Sequence, residues 1–262
     1  MPENGTWIRD FRSHHTIDDL KKSGFRVNQD APDSHNLQCW DDSSIMLTSR
    51  GLEMTAYKLP QPKVVHTWDG RELIYPYSGA VLDTFGGFVP NLYQPGRLVI
   101  ACSLPQGGII PSAWLYFQEH PHDAGATLGR DELFELDIFE TGLSGAVPFW
   151  GMTFTLIRGT GYEWPYPGNP DADYYCDIAS ARLYGRKFGR GNYLHYPEII
   201  WDGRGNFFWR LNGVDICHTY TDLLPGIKPY LKLSLMVTQN IVSPITWIVE
   251  SVIYQGAIID NQ

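Results

Sequence analysis

Short runs of alternating apolar and polar residues recur along the chain, each bounded by clusters of Gly, Pro, Asn and Asp. Alternation with a period of two sets one face of an extended strand against a core and the other in solvent, whereas a helix needs apolar residues every three or four positions. Helical spacing is almost absent: only residues 16–23 read as a helix, with Thr16 as its N-cap ahead of Asp18 and Asp19. Strands are predicted over 45–47 and 52–57, joined by a turn at Ser49-Arg50-Gly51, and over 97–104, 111–117, 149–157 and 178–184. Four more follow over 195–201, 206–211, 230–237 and 245–254, with Asp202-Gly203 and Asn212-Gly213 as turns. Residues 59–94 read as loop-rich and 158–176 as a loop. Many short strands with turns between them predict an all-β sandwich of two packed antiparallel sheets. No linker composition interrupts it, so a single domain over 1–262 is expected.

One stretch breaks the alternation. Phe134-Glu135-Leu136-Asp137-Ile138-Phe139-Glu140 holds three carboxylates in an apolar run with no basic residue beside them. In a regular strand Glu135 and Asp137 share a face, while Glu140 falls on the opposite one. A β-bulge absorbing one residue around Ile138-Phe139 brings all three onto one surface. Leaning side chains then bring the two glutamates to about 5–6 Å, the separation of a retaining glycosidase pair. Acids this close cannot all ionise cheaply, so at least one pKa is expected to rise, and burial by Phe134, Ile138 and Phe139 acts in the same direction.

Composition narrows the partner. The formal net charge of −9 over 262 residues argues against nucleic acid, which demands basic clusters. Aromatic residues make up 14% of the chain, including 9 Trp and 15 Tyr, more than a core requires, and such rings are suited to stacking on sugar faces. The loop over 158–176 carries Tyr162, Trp164, Tyr166, Tyr174 and Tyr175 among Gly, Pro and Asp, a placement that suggests binding. Trp114, Trp150, Trp164 and Trp209 are candidate sugar-stacking rings, and Trp114 could equally be a core residue. Cys39, Cys102, Cys176 and Cys217 are widely spaced and suggest neither a zinc site nor a redox motif. Strand-borne acids make a poor calcium loop, so no metal is expected at this site.

Several segments in fixed order resemble glycoside hydrolase family 16, the laminarinase, lichenase, agarase and carrageenase group. Glu135-Leu136-Asp137-Ile138-Phe139-Glu140 is similar to that family's bulged E-x-D-x-x-E signature. Tyr77-Ser78-Gly79, residues 96–105 and Pro111-Ser112-Ala113-Trp114-Leu115 resemble its upstream strands. His195 and Trp201 keep the spacing of a downstream segment, and Asn212-Gly213 falls at its D-G turn. Val99 and Ala101 stand where the family usually has Glu and Arg, and Ile110 where it has Trp.

The resemblance implies a concanavalin A-like jelly roll and a retaining endo-acting hydrolase of β-linked polysaccharide. A 1,3- or 1,3-1,4-β-glucan is the first expected substrate, and a galactan such as agar or carrageenan the second. It implies Glu135 as nucleophile, Asp137 as its hydrogen-bonding neighbour and Glu140 as acid/base; Trp114, Trp150, Tyr162, Trp164, His195 and Trp209 are the residues expected at the substrate, with a structural hydrogen-bonding role as the other reading of His195. No cofactor is expected, although a structural calcium elsewhere on the sandwich is compatible with the resemblance. A monomer with neither nucleic-acid nor membrane partner is expected. The first residues lack a basic and then apolar secretion segment, and no apolar run is long enough to span a membrane. An extracellular location is expected nonetheless, after removal of a signal or by another route such as release with a virus particle. A lectin-like jelly roll that binds glycan without cutting it is the competing expectation.

Overall fold

The computed structural model describes residues 4–27, 38–66, 72–85, 87–105, 107–118, 132–141, 152–153, 155–160, 172–176, 191–220, 229–238 and 240–257. In chain order the strands are β1 (Asn4–Asp10), β2 (Arg26–Val27), β3 (Gln38–Trp40), β4 (Ile45–Thr48), β5 (Gly51–His66) and β6 (Glu72–Asp83). There follow β7 (Gly96–Leu104), β8 (Ile109–Gln118), β9 (Glu132–Thr141), β10 (Met152–Thr153), β11 (Thr155–Thr160) and β12 (Ala172–Cys176). The last six are β13 (Gly191–His195), β14 (Pro197–Trp201), β15 (Asn206–Leu211), β16 (Val214–Tyr220), β17 (Tyr230–Val237) and β18 (Ile245–Ala257). A short helix, α1 (Ile17–Lys22), begins at Thr16, whose hydroxyl accepts from the Asp19 backbone N–H while the Asp19 carboxylate accepts from the Thr16 N–H in return.

The strands form a jelly-roll β-sandwich. The front sheet runs β2–β6–β17–β8–β9–β11–β12, with β10 also on β9. The back sheet runs β4–β5–β18–β7–β14–β15–β16; β1 continues along the β18 edge beyond β5, and β13 along the β7 edge beyond β14. Among these pairings every one is antiparallel; β3 lies parallel to β6. The long strands β5 and β6 pair with each other and join the two layers, β5 through its first half on β18 and β6 through its last residues on β17.

Alternation builds the interior. Leu231, Leu233, Leu235 and Val237 of β17 are fully buried, and they meet Leu98, Ile100, Val249 and Val252 of the back sheet in one apolar cluster. Each fully buried side chain of this size contributes about 1.5–3 kcal/mol relative to exposure. The intervening residues Tyr230, Lys232, Ser234 and Met236 face away from that cluster. The front sheet therefore has an outer surface on which polar chemistry can be assembled.

Several sequence expectations change. Residues 59–94 are not mainly loop, because β5 extends to His66 and β6 occupies Glu72–Asp83. Pro60 and Pro62 misled the reading: they sit where the β5–β6 register shifts between Lys58 and Lys63, a break in the ladder at which a missing N–H costs little. Within 158–176, Ala172–Cys176 is a strand paired with β11. The expected strand over 195–201 is split at Tyr196 into β13 and β14, and β1 and β16 were not anticipated. The Asn212-Gly213 hairpin turn is present, with φ of 53° and 77°, the left-handed pair such a turn needs. The expected strand over 178–184 lies outside the described residues.

Candidate active site

The acidic strand β9 lies beside β8, and its register contains the extra residue that the acid spacing demanded. Glu135 is opposite Tyr116, Leu136 opposite Leu115 and Asp137 opposite Trp114; the pairing then skips Ile138 and resumes with Phe139 opposite Ala113 and Glu140 opposite Ser112. Directly opposed residues share a face. Ile138 and Phe139 are both fully buried in the apolar cluster, as are Leu136, Leu115 and Ala113. Asp137 and Glu140 consequently emerge on the outer surface together, with Trp114 and Ser112. The backbone position of Glu135, two residues before Asp137, belongs to the same register row as Tyr116.

The two described acids differ in surroundings. Asp137 is 1% exposed, and Glu140 is partly buried. Burial, which penalises the ionised form, pushes the Glu140 pKa up to about 7. A glutamic acid poised there can deliver a proton near neutrality and take one back afterwards.

Trp114 lies on this surface, half-buried, and its indole N–H donates to the Ser234 hydroxyl at 3.1 Å. Ser234 and Ser112 are themselves 2.7 Å apart, so a buried hydroxyl pair anchors the indole of Trp114, which stands opposite Asp137. The Trp114 and Tyr116 rings meet edge to face, 4.9 Å between centroids. Sequence reasoning missed Lys232, whose ammonium lies 4.6 Å from the Trp114 centroid and 4.4 Å from that of Tyr116. The available signal was a lysine in the non-core phase of Leu231-Lys232-Leu233-Ser234-Leu235.

Two expected substrate contacts are corrected. Trp209 is 2% exposed and belongs to the core; its indole N–H crosses from the back sheet to donate to the Asp137 carbonyl oxygen at 2.7 Å. It supports the bulge from beneath and presents no face to a sugar. His195 is likewise 2% exposed, on the back-sheet strand β13, with Nδ1 3.3 Å from the Asn212 side-chain amide. Burial lowers its pKa and holds it neutral. Trp150, Tyr162 and Trp164 lie outside the described residues. Among the described residues no group of three or more His, Cys, Asp or Glu side chains could hold a metal ion.

This layered topology and its acid-bearing bulged strand can be compared with solved structures over the whole chain. A glycoside hydrolase family 16 endo-glucanase from Bacteroides ovatus superposes with a TM-score of 0.61 at 14% identity, covering 97% of this chain and 99% of that one. The chain has the family 16 glycoside hydrolase fold. The same fold is seen in the laminarinase catalytic domain from Thermotoga maritima, with a TM-score of 0.62 at 17% identity, covering 100% of this chain and 99% of that one. It recurs in the kappa-carrageenase from Pseudoalteromonas carrageenovora, with a TM-score of 0.64 at 12% identity, covering 99% of this chain and 97% of that one. No protein-family model and no curated protein sequence matches the chain. The family 16 fold is thus evident in three dimensions, at identities where side chains have diverged.

Proposed function

We propose that this protein is a retaining endo-glycoside hydrolase acting on a β-linked polysaccharide, a glucan with 1,3 or mixed 1,3-1,4 linkages or a galactan of the agar and carrageenan type. The observation that carries the reading is the bulge at Ile138, which sets Asp137 and Glu140 on one surface with the Glu140 pKa raised to about 7. In the first step Glu140 gives its proton to the glycosidic oxygen as the bond from that oxygen to the anomeric carbon breaks. The Glu135 carboxylate attacks the same carbon, and a glycosyl ester forms. In the second step Glu140, now ionised, takes a proton from water; the water oxygen attacks the anomeric carbon, Glu135 leaves as carboxylate, and Glu140 is protonated again. Asp137, sealed between them in sequence and nearly excluded from solvent, orients and tunes the nucleophile. The fold shared with enzymes named as a laminarinase, an endo-glucanase and a carrageenase supports the substrate class.

The test is a reducing-sugar assay on laminarin, mixed-linkage glucan, agarose and carrageenan, with Glu135→Gln and Glu140→Ala beside the wild type. Turnover on one or more glycans is expected, reduced at least a thousandfold in Glu135→Gln with affinity kept. Glu140→Ala should recover partly on substrates with activated leaving groups, which need no proton. Full activity in Glu135→Gln removes it as nucleophile. Tight binding without cleavage by the wild type replaces the hydrolase reading with that of a glycan-binding sandwich.

A further inference from the structure

The break between β13 and β14 at Tyr196 is held by one residue of the turn that follows β15. Asn212 stands at a φ of 53°, and its backbone N–H donates to the Tyr196 carbonyl oxygen at 3.1 Å. Its side-chain Oδ1 accepts from the Tyr196 N–H at 2.9 Å, and its Nδ2 lies 3.3 Å from Nδ1 of His195. Asn212 therefore clasps both backbone groups of Tyr196 and the imidazole beside them. The clasp closes the end of β15, the strand whose Trp209 indole donates to the Asp137 carbonyl oxygen at 2.7 Å. A connected path thus runs from His195 through Asn212 and β15 to the bulge that sets the acids.

These bonds fix where the protons are. An amide accepts on oxygen and donates on nitrogen, and the Tyr196 N–H commits the oxygen. Nδ2 consequently donates to His195, Nδ1 accepts through its lone pair, and the neutral ring carries its single proton on Nε2. Nε2 is buried and meets no hydrogen-bond partner. A second proton on the ring can go only to Nδ1, where it points at the Asn212 N–H groups. Turning the amide over brings no relief, because it sets Nδ2 against the Tyr196 N–H. Protonation replaces the bond by two opposed donors and leaves a charge buried in the sandwich.

Among the described residues nothing compensates that charge. On β7, His195 stands opposite Cys102, whose thiol is pushed up to about 12 by burial and stays neutral; beyond it on β18 is Val249. Glu198 of β14 faces the other side of the sheet and is paired with Arg97, and Asp215 of β16 is paired with Arg210. Asp137 and Glu140 of β9 emerge on the far surface of the front sheet. Burial accordingly depresses the His195 pKa.

We infer that the His195–Asn212 clasp is a proton-operated joint: neutral His195 locks β15 and with it the Trp209 support of the acid strand, and protonation on Nδ1 releases both, so that acid switches off turnover through a residue remote from the substrate. The joint itself is independent of the glycoside hydrolase reading; its effect on turnover rests on that reading.

The experiment uses the full chain as wild type, His195→Asn and Asn212→Gly. Asparagine at 195 puts a carbonyl oxygen where Nδ1 was, an acceptor that takes no proton, and glycine at 212 keeps the left-handed turn while removing the clasp. Nitrogen-15 NMR of the wild-type histidine rings, which needs no variant, is expected to show the Nε2–H tautomer at pH 7.5 and titration below the ordinary histidine value of about 6.5. The unfolded ring takes its proton at about 6.5 and the folded ring only at lower pH, so this stability is whole above that value and lost below it. Between pH 7.5 and pH 5 the folded-to-unfolded ratio in urea should fall about tenfold further in the wild type than in His195→Asn. On whichever glycan is cut, kcat should decline at higher pH in the wild type than in His195→Asn, with KM alike. Asn212→Gly should show at pH 7.5 the low kcat that the wild type reaches only in acid. A neutral ring protonated on Nδ1, or the same pH dependence of stability in wild type and His195→Asn, overturns the joint. Coincident acid limbs of kcat beside separate stabilities overturn its control of turnover and leave the hydrolase reading intact. If no glycan is cut, the hydrolase reading falls, while the Nε2–H tautomer and the unfolding difference still uphold the joint.

Discussion

A glutamic acid whose pKa is lifted to about 7 by burial burdens the folded protein at every pH above that value. In the unfolded chain Glu140 ionises in the ordinary carboxyl range. The folded state therefore binds the extra proton between the two values, and the associated stability is complete at acid pH and lost as pH rises through about 7. Glu140→Gln removes the ionisation and should make the protein more stable by roughly 3 kcal/mol at pH 8, while leaving it nearly unchanged at pH 4. Urea unfolding of both proteins at the two pH values checks this. Equal stability at pH 8 would mean that Glu140 is better solvated than its position suggests. A variant that is tougher and inactive is the signature of a side chain retained for chemistry, since a structural residue loses stability when replaced.

At the level of the strand, β9 depends on a partner from the other sheet. A bulge interrupts the ladder, and at this one the Asp137 carbonyl finds the Trp209 indole N–H at 2.7 Å. Trp209→Phe keeps most of the apolar volume and removes the donor. Losing this buried hydrogen bond costs about 0.5–1.5 kcal/mol, so a lower urea midpoint is expected. Turnover should fall more than glycan affinity does, because the acids lose their fixed spacing rather than their charge. Unaltered stability and turnover would show that the bulge holds without this support.

The same strands show what could be read in advance. The bulge was legible because two glutamates five positions apart cannot lie on one face of a regular strand. The role of each tryptophan was not, since a strand's alternation gives a residue's phase but not which phase faces inward. Trp209 shares phase with Phe207 and Leu211, all buried, whereas Trp114 shares phase with Ser112 and Tyr116. Lys232 escaped notice because its ring partners Trp114 and Tyr116 lie on β8, more than a hundred residues earlier in the sequence.

For the whole molecule, the pairing of β5 and β6 across both layers ties the sheets into one unit. A calorimetric scan should accordingly give a single transition, with calorimetric and van't Hoff enthalpies in agreement. Two resolved transitions would divide the chain where the composition suggested no boundary. Most contacts join residues distant in sequence, β1 with β18 at the two ends of the chain among them, and such topologies fold slowly.

Slow folding gives the irregularity at Ile138 a second significance, as a guard against misassembly. A uniform strand can slide along its neighbour by two residues and still present the same pattern of inward and outward groups. Strand β9 cannot, because its two consecutive inward residues, Ile138 and Phe139, fit only where β8 offers one. Shifted by two in either direction, the irregularity would face a stretch of β8 with no slack, and a carboxylate or a phenyl ring would be forced onto the wrong side. The odd residue acts as a key that admits a single phase, so the geometry that aligns the acids also lets the chain recognise when it has assembled correctly.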